Sequence, residues 1–176
     1  MPALDKWDSF YIIVGPAAGA LIGLQFVVMT LIAERPPLRV AETGAAFATP
    51  TIVHFSVVLF LAALLRAPWE SIVPPAVGCG LVGIGGIAYS VVTARHMRAS
   101  SYKPDFEDLV YYLILPWLAY VALLAAAIVA YRYLQPALFV VGGVSLLLLF
   151  CGIHNSWDAI AFHVLVQRNQ DDTHDQ

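Results

Sequence analysis

His154, Asn155 and Asp158 stand close together in a chain whose charged residues make up only 12% of the whole. At helical spacing His154 and Asp158 lie one turn apart, about 40° around the axis, and Asn155 projects about 60° from Asp158. The three are therefore expected to form one polar face. An imidazole nitrogen and a carboxylate oxygen four residues apart can ligate one divalent metal, or the carboxylate can fix the histidine tautomer. His54 adds a second imidazole from another part of the chain. Together His54, His154 and Asp158 suit zinc or another borderline divalent ion, and a histidine also takes up protons near neutral pH. Two histidines on different helices can also clamp a haem, the lesser expectation here.

The elements that position these groups are set by composition. Of 176 residues, 60% are hydrophobic, and the mean hydropathy is +0.78. The apolar residues gather into runs that match the roughly 20 residues needed to cross about 30 Å of hydrocarbon. Five spans follow, at about 10–33, 49–66, 74–94, 109–131 and 136–158. Residues 159–166 either extend the fifth span or lie flat on the surface, so 1–168 forms one domain. The polar, acidic segment 169–176 reads as a disordered tail. The fold class is all-α, a polytopic membrane bundle of five transmembrane helices.

Local signals sharpen some boundaries. Thr49-Pro50 reads as an N-cap followed by proline at the first helical position, Pro74-Pro75 as a helix start, and Pro116 as a kink early in the fourth span. Lys and Arg are retained on the cytoplasmic side. Lys6, Arg66 and Arg132 flank one side, and Arg35, Arg39, Arg95, Arg98, Lys103 and Arg168 the other. The bias puts the N-terminus outside and the C-terminus in the cytoplasm, in a plasma (inner) membrane of bacterial type.

Laid on this topology, the polar residues collect in the inner half. His54 lies about 6 Å past the start of its span and His154 about 27 Å along an oppositely running one, so both reach the same edge of the hydrocarbon. Gln25, Glu34, Thr93 and Asn155 are expected to line the site with them, and Glu107, Asp108 and Tyr112 lie at the same depth. His163, about 180° from His154, faces elsewhere. In the first span Gly15, Gly19 and Gly23 recur every fourth residue, a stripe that admits close helix approach. The third span carries Gly78, Gly80, Gly83, Gly85 and Gly86 and reads as the central helix. These glycines serve packing within the bundle or a homo-oligomer seam. Cys79 and Cys151 fall at different depths and read as small buried apolar residues.

Several function classes drop out. The chain has no room for a soluble catalytic domain, and a net charge of −3 without a basic block excludes nucleic acid as a partner. No P-loop, dinucleotide fingerprint or serine triad has its required context. The leading reading is a small integral membrane protein with a cytoplasm-facing His/Asn/Asp site that binds a divalent metal or a proton, in a binding or permeation role. One alternative is a membrane-embedded metal-dependent hydrolase acting on a lipid. The other is a structural or accessory subunit holding no ligand. The lipid bilayer is the partner common to all three.

Overall fold

A computed structural model describes the backbone of residues 2–33, 41–99 and 106–174, and side chains within 2–30, 49–97 and 106–161. Glu34, Arg35 and Arg39 lie outside the described residues, as do the side chains of His163 and the tail. The elements are α1 (Pro2–Asp5), α2 (Asp8–Ala33), α3 (Ala41–Arg66), α4 (Val73–Ala99), α5 (Phe106–Leu109), a π-helical turn (Val110–Ile114), α6 (Leu115–Val129) and α7 (Leu134–His174). Five helical stretches are long and apolar enough to cross a membrane: Asp8–Thr30, Thr49–Arg66, Val73–Met97, Phe106–Val129 and Leu134–Ala161. A helix satisfies its own backbone groups, which hydrocarbon cannot do. The expected all-α, five-span architecture is what the chain adopts.

Each helix buries one stripe of side chains at the helical period. On α3 the stripe runs Thr51, His54, Phe55, Val58, Leu61, Ala62 and Leu65. On α7 it includes Leu138, Val141, Val144, Ser145, Leu148, Cys151 and Asn155. α2 packs on α3, α4 on α6, and α7 on both α3 and α6. The fifth span is therefore the centre of the bundle: half of its most apolar window is buried, against 28% for the third. The glycine-rich third span, expected to be central, instead turns Gly80, Gly83 and Gly86 to α6 and Gly78 to Leu64 of α3, while a Cβ on Gly85 would meet nothing within 4 Å. Gly83 lies so close to α6 that a Cβ would come within 2.9 Å of the Leu124 nitrogen, and a Cβ on Gly86 would collide with the Tyr120 ring.

Three local expectations change. α3 begins at Ala41, so Pro50 lies inside a helix and not at its first position. α7 is one continuous helix from Leu134 to His174: residues 159–166 continue it, and the segment expected as a disordered tail is helical as far as His174. The disturbance expected at Pro116 is a π-helical turn just before it, where the Leu115 N–H reaches back five residues to Val110 O. Proline has no N–H to donate and its ring crowds the carbonyl four residues earlier. A widened turn moves that carbonyl aside.

Candidate functional site

The polar residues of the inner half form two neighbouring groups, and the π-helical turn touches both. In the first group the His154 Nε2 lies 3.0 Å from Asp158 Oδ2 and 3.6 Å from Glu107 Oε1. The Asp158 approach has ion-pair distance but not hydrogen-bond geometry, since His154 Nε2 is buried without a hydrogen-bond partner among the described residues. The ring of Tyr111 stacks on the imidazole, with centroids 3.6 Å apart and planes inclined by 24°. The side chains of His154, Asp158 and Glu107 are 20%, 39% and 71% exposed, so this group forms a rim open to one end of the bundle.

The second group is interior. His54 is 1% exposed, and its Nδ1 lies 2.9 Å from the hydroxyl of Tyr120. Asn155 is fully buried, and Tyr112 donates a hydrogen bond of 3.3 Å to its backbone carbonyl oxygen. The other nitrogen of His54 and both side-chain polar atoms of Asn155 have no hydrogen-bond partner among the described residues. Tyr120 reaches His54 because Gly86 leaves room for its ring, and α3 meets α7 closely because Phe55 fills the space over Gly152.

The expected single polar face on α7 is thus divided. Asn155 belongs to the buried stripe with Cys151 and Leu148, whereas His154 and Asp158 sit on its flank. Consecutive residues on a helix point about 100° apart, and His154 and Asn155 accordingly enter different surroundings. The other expected lining residues scatter. Gln25 is buried, 3.2 Å from Ser156 Oγ, which itself donates to Gly152 O at 2.8 Å. Thr93 is half-buried and pairs with Tyr89 on its own helix. Gly15 faces Ala62, whereas nothing stands within 4 Å of a Cβ on Gly19 or Gly23.

Among the described residues, no three His, Cys, Asp or Glu side chains are grouped so that they could hold a metal ion. The three-ligand centre of His54, His154 and Asp158 gains no support, because His54 is held by Tyr120 while His154 and Asp158 contact each other. Nor does any contact among the described residues add support to a bis-histidine haem. The lipid-hydrolase reading required that metal and stands on nothing else.

The order of residues gives neither Tyr120 nor Tyr111 a place in the site. A hydroxyl in mid-span is the available signal for Tyr120, because a buried tyrosine needs a partner for its O–H. Nothing local marks Tyr111 as a stacking partner for a residue 43 positions away. No known family, curated protein or solved structure matches this chain.

Proposed function

We propose that this is a small membrane protein that binds a proton at His154, on the side that the Lys/Arg bias assigns to the cytoplasm. One observation carries the reading: a single imidazole nitrogen faces two carboxylates, Asp158 at 3.0 Å and Glu107 at 3.6 Å, while a tyrosine covers the ring. Imidazole is the side chain whose ordinary charge change falls between pH 5 and 8. A carboxylate pair compensates the positive ring, and an aromatic face is a favourable surface for a cation. Ionisable groups this close to a membrane interior are a functional site by default. The partly exposed carboxylates of Glu107 and Asp158 lead from water to the buried nitrogen.

The reading makes the protein a proton-responsive membrane component, of the plasma membrane if the charge bias is followed. Permeation is the less supported role, because the polar groups gather at one end of the bundle. The test is a pH titration of 15N-histidine-labelled full-length protein in bilayer nanodiscs. The His154 ring signals are expected to change form between acid and neutral pH, and Asp158→Asn and, by less, Glu107→Gln are expected to alter that response. A His154 ring that stays in one form across that range sinks the proposal and leaves a structural role. Stoichiometric metal in protein purified without chelator, lost in His154→Ala, would replace the proton by a metal.

A further inference from the structure

The interior group has hydrogen-bonding capacity that its own fold does not use. His54 Nε2, Asn155 Oδ1 and Asn155 Nδ2 are each buried without a partner among the described residues, on side chains that are 1% and 0% exposed. Leaving such groups unpaired is costly, and native proteins satisfy nearly all of them.

Helix register brings the two residues to one level. Phe55 sits against Gly152, which fixes α3 against α7 at that depth. The two helices run in opposite directions across the bundle, so stepping back one residue from Phe55 and forward three from Gly152 moves toward the same end. At 1.5 Å per residue, His54 and Asn155 then differ by about 3 Å in depth. Both lie in the interior shared by α3, α6 and α7, since His54 is bonded to Tyr120 of α6 and Asn155 to Tyr112 of the π-helical turn.

The geometry points to a bound water between α3 and α7, held by His54 Nε2 and the Asn155 carboxamide. The ligand must be uncharged, because neither group carries a fixed compensating charge. It must both donate and accept, because the carboxamide offers one acceptor and two donors while His54 Nε2 takes whichever role the Tyr120 bond leaves it. It must be small, because both side chains are packed inside the bundle at 1% and 0% exposure. Water meets all three conditions, and a buried water typically finds two to four such partners. The site makes the centre of the bundle exchangeable with solvent one residue away from the rim at His154. It does not depend on proton binding there.

Water-edited solid-state NMR on the uniformly 15N-labelled full chain in lipid bilayers tests this. Magnetisation from water is expected to reach the His54 ring and the Asn155 side-chain amide, with the exposed His96 ring as the positive control. In Asn155→Leu most of the transfer to His54 should disappear. The thermal midpoint should also fall by several degrees, because His54 loses its water. If His96 receives magnetisation and His54 does not, the site is dry and the inference is overturned. It is overturned as well if Asn155→Leu raises the midpoint, as removal of a truly unpaired amide would. A neutral organic molecule extracted in stoichiometric amount from the purified protein, with no water transfer to His54, would overturn the assignment to water. If Asn155→Leu fails to fold, the wild-type measurement alone decides.

Discussion

The rim around His154 and the interior around His54 use the same kind of side chain to opposite ends. Each region has one histidine against one tyrosine, yet the contacts differ in kind. Tyr111 lays its ring on His154 and leaves the nitrogen facing carboxylates, while Tyr120 uses its hydroxyl to engage a nitrogen of His54. The rim is partly open to water, which screens its charges and weakens its ion pairs. The interior is closed, so a changed hydrogen bond there is a change in stability. Burial, more than residue type, separates the two regions.

Mutations can break this contrast or sharpen it. The largest effect is expected at Gly86→Ala. Alanine ordinarily favours a helix, but here its Cβ would collide with the Tyr120 ring, and the shift would pull Tyr120 away from His54. A loss of about 3 kcal/mol is expected from overpacking of this kind, read by thermal or denaturant unfolding in detergent. Tyr120→Phe comes next. It keeps the ring and strands His54 Nδ1, for an expected loss of about 2 kcal/mol in the same measurement. An unchanged midpoint would mean that the interior bond does not hold the bundle.

At the rim, Asp158→Asn and Glu107→Gln should change stability by no more than about 0.5 kcal/mol, because partly exposed ion pairs contribute little. They should instead change the ring signals of His154, which both carboxylates face. A rim mutant that unfolds the protein would erase the contrast between the regions. The smallest effect is expected for Gly19→Ala and Gly23→Ala, where nothing stands within 4 Å of the added methyl group. Stability should hold within about 0.5 kcal/mol, as for other substitutions without contacts. Chemical cross-linking of these variants in bilayers also tests the homo-oligomer proposed for this face: a loss of dimer with unchanged stability would establish the seam.

The rim is partly legible in the order of residues alone. His154 and Asp158 share one helix, and a separation of four residues brings their side chains together whatever the rest of the chain does. Glu107 falls at the right depth, but depth does not say which way a side chain turns. Its approach to His154 depends on how α5 and the π-helical turn meet α7. His54 stands out as a polar residue in an apolar span, yet its spacing suggests the wrong companions, because two histidines at one level look like a pair until the helix rotations are known. The division of His154 from Asn155 is hidden for the same reason: only contact with α3 and α6 decides which stripe of α7 is buried.

The five apolar helices and their lengths follow from the order of residues without reference to packing. Each span is stabilised by transfer of its own residues into hydrocarbon and by hydrogen bonds within itself, and neither requires a neighbour. Pro116 announces a disturbed backbone without saying that the answer is a widened turn, whereas Pro50 lies inside an unbroken helix. Packing in three dimensions settles the rest: that α7 is the centre, that Gly86 makes room for Tyr120, and that Tyr120 meets His54 across 66 residues of sequence. Those contacts depend on how the helices rotate and approach one another. In a lipid environment that is settled by shape and by interhelical hydrogen bonds, because exposing an apolar face costs almost nothing there.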